Sequence, residues 1–163
     1  MTTAAAIESR AGKYLTFKIA TEEYGLEILK VQEIIGMMNV TRVPKTPEFV
    51  QGVIKLRGKV IPVIDLRLKF GLESIENTEM TCVIVVQIVS KAGNLTTGII
   101  VDEVYEVLDI NGDQIEDAPS FGANVDTTFI LGMGKIGEKV VSLLDIDKVL
   151  TGNDIEEVEK FAA

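Results

Sequence analysis

Histidine and tryptophan are absent from this 163-residue chain, cysteine occurs once, and basic residues are outnumbered by acidic ones, 16 to 25. Each deficit excludes something. Without histidine there is no Ser-His or Cys-His nucleophilic pair, most zinc sites cannot be built, and the commonest general base near neutral pH is missing. A net charge of −9 repels phosphate backbones and anionic lipid, so neither nucleic acid binding nor direct membrane insertion is expected. No run approaches the roughly 18 apolar residues of a membrane span, and the stretch 1–12 lacks the basic start of an export signal and reads as a disordered tail. The lone Cys82 cannot form an internal disulfide, which fits a reducing cytoplasm. Its run, Cys82-Val-Ile-Val-Val, supplies none of the electropositive neighbours that make a thiol reactive. What is plentiful is apolar: hydrophobic residues make up 47% and charged residues 25%, enough to offset chain entropy by burial.

The chain repeats itself. Gly25-Leu-Glu-Ile-Leu-Lys-Val-Gln-Glu-Ile matches Gly98-Ile-Ile-Val-Asp-Glu-Val-Tyr-Glu-Val, aligning Gly25, Val31, Glu33 and Ile34 on Gly98, Val104, Glu106 and Val107 at an offset of 73. Gly52-Val-Ile-Lys-Leu-Arg-Gly58 through Asp65 resembles Gly132-Met-Gly-Lys-Ile-Gly137 through Asp145 at an offset of 80, with a one-residue shift expected at the turn. Each copy reads strand, glycine turn, strand, then an aspartate able to N-cap a short helix, Leu66 to Phe70 or Ile146 to Leu150, closed by Gly71 or Gly152. Two similar modules are the economical reading.

Leu15, Phe17 and Ile19 alternate with Tyr14, Thr16 and Lys18, the period of a half-buried strand. Val83 to Val89 and Ile99 to Val101 are apolar throughout, as interior strands are, with turn signals at Lys91-Ala-Gly-Asn and Asn111-Gly-Asp. The spacing predicts about five short strands per copy, which close most readily into small barrels with few exposed edges. Thr46-Pro47-Glu48 predicts one or two helical turns before Gly52. Residues 153–163 predict a C-terminal amphipathic helix with Ile155, Val158 and Phe161 inward.

Three motif matches carry little chemistry. Gly132-Met-Gly134-Lys-Ile-Gly137 fits a dinucleotide-loop pattern, but a strand rather than a helix is expected after it. Asp109-Ile-Asn-Gly-Asp begins like a calcium loop with its glycine misplaced, and position 12 is Ser120. Asp65 and Asp145 would suit an acid–base pair, yet both stand where a helix cap is needed. Arg57 is of more interest, because the copies differ there: the second has Ile136 at the place assigned to it, while Glu33 keeps its counterpart in Glu106.

Lys55-Leu-Arg-Gly-Lys-Val-Ile-Pro-Val-Ile-Asp-Leu-Arg, with Glu23-Tyr-Gly-Leu-Glu-Ile-Leu-Lys-Val-Gln-Glu-Ile and Leu143-Leu-Asp-Ile-Asp-Lys, resembles the signature of CheW-like domains, the coupling modules of bacterial chemotaxis. The resemblance covers Tyr14 to Leu150. It implies an all-β fold of two intertwined five-stranded SH3-like β-barrels with short helices: a single domain over 13–152, made of two barrel subdomains, followed by the helix 153–163. It further implies a non-enzymatic cytoplasmic adaptor, without cofactor or metal. Such an adaptor joins the cytoplasmic tips of chemoreceptors (methyl-accepting chemotaxis proteins) to the regulatory domain of the histidine kinase CheA, and is recruited to membrane-associated arrays. The family's receptor contacts fall on Glu33 and Arg57, with Val31, Ile34 and Val60. Kinase contacts are placed on Ile35, Met37, Met38 and Val40, for which core packing is an equal contender. Many members have Asn where this chain has Lys55, which bears on the posture of Arg57. A coupling paralogue serving another receptor–kinase pathway would look the same, and an acidic carboxylate enzyme built on Asp65 and Asp145 is the alternative of a different class.

Overall fold

The computed structural model describes residues 10–72, 76–90, 93–118 and 129–149. Eleven strands are found among them: β1 (Gly12–Ile19), β2 (Glu22–Glu27), β3 (Val31–Gly36), β4 (Val50–Leu56), β5 (Lys59–Asp65), β6 (Cys82–Ser90), β7 (Gly93–Val101), β8 (Glu103–Ile110), β9 (Ile115–Glu116), β10 (Ile130–Ile136) and β11 (Lys139–Leu144). Two short helices, α1 (Leu66–Lys69) and α2 (Ile146–Val149), follow β5 and β11. The strands form two sheets, in the orders β3-β6-β7-β5-β4 and β8-β1-β2-β11-β10-β9.

Each sheet mixes the two sequence copies. The first takes β3, β4 and β5 from copy one and β6 and β7 from copy two; the second takes β1 and β2 from copy one and the remainder from copy two. The modules have therefore exchanged their first two strands, which is the physical content of intertwining. Both exchanges are made by a parallel pairing, β5 with β7 (Val63 opposite Gly98) and β11 with β2 (Leu143 opposite Gly25). The repeated glycine sits at each junction because a side chain would not fit. A Cβ on Gly98 would lie 2.8 Å from Val83 Cγ1, and one on Gly25 would lie 2.9 Å from Leu143 Cδ2.

Three apolar clusters follow from this arrangement. Ile54, Ile61, Val63, Val83, Val85 and Ile100 fill the first barrel. Tyr14, Ile110, Ile115, Val141 and Leu143 fill the second. The largest cluster draws on both sheets, among others Phe17, Leu26, Ile64, Ile84, Ile99 and Leu144, and holds the barrels together. Strand β6 shows why it is apolar on both faces: Val83 and Val85 point into the first barrel, while Ile84, Val86 and Ile88 point into the shared core. Strand β1 does the same, which corrects the expectation that it is half-buried. Tyr14, Leu15, Thr16 and Phe17 are all buried, with Tyr14 in the second barrel and Leu15 and Phe17 between the barrels.

The second sheet has six strands rather than five because the two-residue β9 pairs with β10; its counterpart in the first is the single bridge between Thr41 and Val53. The helix expected at Thr46 to Gln51 is replaced by turns. Thr46 Oγ1 donates to the Val43 carbonyl rather than capping a helix, and Val50 is already committed to β4 opposite Ile64. Tertiary pairing overrides the local cap signal. The helix N-caps are as expected: Asp65 accepts from the Arg67 amide at 2.9 Å and Asp145 from the Asp147 amide at 3.1 Å; Leu150 and Gly152 lie outside the described residues. Residues 153–163 lie outside the described residues.

Candidate functional site

The β4–β5 turn carries the residue that sets the two copies apart. Lys55 pairs with Val60 and Leu56 with Lys59, just as Lys135 pairs with Val140 and Ile136 with Lys139. The copies therefore align at an offset of 80 through the turn, without the expected shift, and the counterpart of Arg57 is Gly137, not Ile136. Arg57 has φ 52 and Gly58 φ 80, the paired positive values of a type I′ hairpin, while Gly137 has φ 60. Copy two requires a positive φ only at the first of these two positions and has glycine there. Copy one holds an arginine in the left-handed region, at a cost of roughly 1–2 kcal/mol for a residue with a Cβ. Strain kept where glycine would relieve it is a pointer to function.

The Arg57 side chain reaches Glu33 on β3, with Nη2 donating to Oε2 at 2.8 Å. Because β3 and β4 are the two ends of their sheet, this ion pair spans the seam at which the curled sheet fails to close. Arg57 is 78% exposed and Glu33 22%, so the carboxylate is anchored and the guanidinium is presented. Its direct contribution to stability is about 0–1 kcal/mol at such exposure. Of Arg57's five donors, only Nη2 makes a hydrogen bond among the described residues, so the rest of the fork is open to a partner.

Around this pair, Ile34 is 44% exposed and Val60 37%, while Val31 is half-buried against the shared core. The register shift on β3 between Val31 and Glu33 separates their roles. Val31 pairs with Val86 of the shared core, whereas Glu33 pairs with Val85 of the first barrel's interior. The second predicted group behaves differently. Ile35, Met37 and Val40 are half-buried and pack against the interior of the first barrel; Met38 is 40% exposed. Met37, Met38 and Val40 edge an open depression of about 350 Å³ together with Gln51 and Ile100. Leu29 was missed: it stands on the 3₁₀ turn Ile28–Lys30 just before β3 and is 92% exposed. A leucine inside an apolar run carries no sequence signal of exposure.

A buried charge network was also missed. Arg67 forks onto Asp65, with Nε to Oδ1 and Nη2 to Oδ2 each at 3.0 Å, and donates through Nη1 to Asp102 at 3.1 Å. Asp102 in turn accepts from the Ala20 amide at 2.7 Å. Burial alone would lower the Arg67 pKa, yet the hydrogen bond and charge of Asp65, with those of Asp102, hold it above its usual value. The network ties α1 of copy one to the β7–β8 junction of copy two and to the β1–β2 turn. Asp65 is thus a cap and an ion-pair partner rather than a free carboxylate.

Elsewhere, Gly132 to Gly137 lies on β10 and its turn, with β11 following. Asp109 pairs with Lys13, and Asn111 and Gln114 cap one another. Burial pushes the Cys82 thiol pKa up, with a backbone hydrogen bond at Val104 opposing it. Among the described residues no group of His, Cys, Asp and Glu side chains could hold a metal ion, and no helix is long and apolar enough to cross a membrane. The arrangement offers a recognition surface: an anchored, exposed arginine beside exposed aliphatic side chains.

The family model described as "CheW-like domain" matches residues 13–153. The chain is 41% identical over 155 residues to a chemotaxis protein CheW of Klebsiella aerogenes, covering 95% of this chain and 91% of that one. It is 34% identical to a chemotaxis protein CheW of Helicobacter pylori, covering 85% and 81%. The crystal structure of a scaffolding protein, TtCheW, from Thermoanaerobacter tengcongensis superposes with a TM-score of 0.77 at 35% identity, over 88% of this chain and 95% of that one.

Proposed function

The chain belongs to the family of CheW-like domains, chemotaxis scaffold proteins, and from that premise we propose that it couples the cytoplasmic tips of chemoreceptors to the regulatory domain of the histidine kinase CheA. It does so by holding both, not by chemistry. The observation that carries this reading is Arg57, kept at φ 52 where the matched position of the second copy is Gly137, and aimed across the seam at Glu33. In this reading the receptor tip lays an apolar helical surface on Ile34, Val60 and Val31, and its polar groups meet the open donors of Arg57 beside Glu33. Ile35, Met37, Met38 and Val40 face the kinase at the end of the same barrel. A sequence without histidine supports a non-catalytic role, and recruitment to membrane-associated arrays follows from the receptor contact rather than from any insertion.

Each contact is of modest size, on the order of 1,000 Å², so single pairs bind weakly and the assembly gains strength by engaging several at once. The test is a calorimetric titration of wild type and Arg57→Glu with a receptor cytoplasmic fragment and, separately, with the kinase regulatory domain. The variant is expected to stay folded, to lose at least ten-fold in receptor affinity, and to keep its affinity for the kinase domain. Unchanged affinity for both partners removes Arg57 from the site.

A further inference from the structure

The duplication builds a second face that the coupling role does not use. The offsets that align the copies carry Gln32, Glu33 and Ile34 onto Tyr105, Glu106 and Val107, and Lys59 and Val60 onto Lys139 and Val140. Both barrels expose the matched aliphatic pair, and the second exposes more of it: Val107 is 47% exposed and Val140 53%, with Tyr105 at 45% beside them. The copies differ in the cation. Gly137 stands in place of Arg57, so Glu106 keeps the carboxylate of Glu33 without its partner. The Glu106 main chain is fixed, its amide and carbonyl both bonded to Thr16 Oγ1. Its carboxylate makes no ion pair or hydrogen bond among the described residues. Nearby Lys139 is engaged with Glu23 at 3.6 Å, and Glu23, Tyr105, Glu106 and Lys139 edge an open depression of about 600 Å³.

We infer that Tyr105, Val107 and Val140 with Glu106 form a second docking surface, and that its occupant is an α-helix of another protein bearing an apolar stripe and a lysine or arginine that pairs with Glu106, which has no ion pair among the described residues. That the occupant is a helix rests on the reading of the Ile34–Val60 face as one that receives a helical tip. The required charge follows from the substitution at the turn. A second copy of this chain fits poorly, since its net charge of −9 repels an acidic face. An added β-strand fits poorly too. Although β8 ends its sheet, the register shift beside Glu106 kinks the edge along which a strand would pair.

The test uses the full chain, isotope-labelled for amide NMR, and two synthetic 18-residue amphipathic helices with the same leucine stripe, one flanked by lysines and one by glutamates. The lysine peptide is expected to shift the amides of Tyr105 to Val107 and Val140. Its affinity should fall at least five-fold in Glu106→Lys and in Val140→Asp, both with otherwise native spectra. The glutamate peptide should not bind. Absence of lysine-peptide binding, shifts spread over the acidic surface or centred on Ile34 and Val60, or an affinity indifferent to Glu106→Lys would overturn the inference. The receptor titration with Arg57→Glu tests the coupling reading independently, so the two can fail separately.

Discussion

Arg57 concentrates the residue-scale argument, because it is costly for folding and open for binding. Replacing it with glycine separates the two. Arg57→Gly relieves left-handed strain of roughly 1–2 kcal/mol, against a glycine entropy cost of about 0.5–1 kcal/mol and loss of an exposed ion pair worth about 0–1 kcal/mol. Urea denaturation should therefore show a stability within about 1 kcal/mol of wild type, while receptor affinity falls. A large loss of stability would make Arg57 a folding residue. Arg67 is the opposite case. It is 3% exposed between Asp65 and Asp102, and Arg67→Met strands the buried Asp65 carboxylate and the largely covered Asp102, which should cost about 3–5 kcal/mol in the same denaturation experiment. A cost under about 1 kcal/mol would mean that the carboxylates find water or other partners.

Matched elements make the closest comparisons, because the duplication provides an internal control. Gly98→Ala drives a Cβ to 2.8 Å from Val83 Cγ1, with Val63 Cγ2 at 3.4 Å on another side. Gly25→Ala meets chiefly the far end of Leu143 at 2.9 Å. Valine is stiff at χ1, whereas a leucine Cδ can swing aside, so Gly98→Ala should destabilise more, by about 1–3 kcal/mol. Thermal melts giving the reverse order would contradict the packing described. Legibility in the sequence divides along the same line between local and distant causes. Asp65 and Asp145 were readable as caps because a cap acts on the next two residues. Gly25 and Gly98 were readable as a repeat but not as close-packed junctions, since Leu143 beside Gly25 and Val63 beside Gly98 are brought there by strand exchange. Asp102 gave no hint, being 35 residues from Arg67. Thr46-Pro47 misled because the pull of β4 outweighs a local cap. Arg57 was legible as a difference between copies, but its true counterpart Gly137 emerged only with the pairing register.

At the scale of the whole molecule, strand exchange makes the two barrels one mechanical body. The core between them takes side chains from both sheets, and the Arg67 network crosses from one copy to the other. A scaffold benefits from such rigidity, because a partner's displacement at one barrel is passed on rather than absorbed between loosely joined modules. The family resemblance, the matched family model and the structural likeness to TtCheW agree on the architecture; the roles proposed for Glu33, Arg57 and their neighbours come from the family resemblance, and the ion pair across the seam supports them. In the proposed coupling role, one chain holds receptor and kinase at the same time on separate surfaces. Light scattering on a size-exclusion column, applied to the chain mixed with a receptor cytoplasmic fragment and the kinase regulatory domain, measures this directly. A peak whose mass is the sum of all three components is predicted, and Arg57→Glu should reduce it to the chain with the kinase domain alone. Two binary complexes that exclude one another, with no ternary peak at any ratio, would rule out simultaneous coupling.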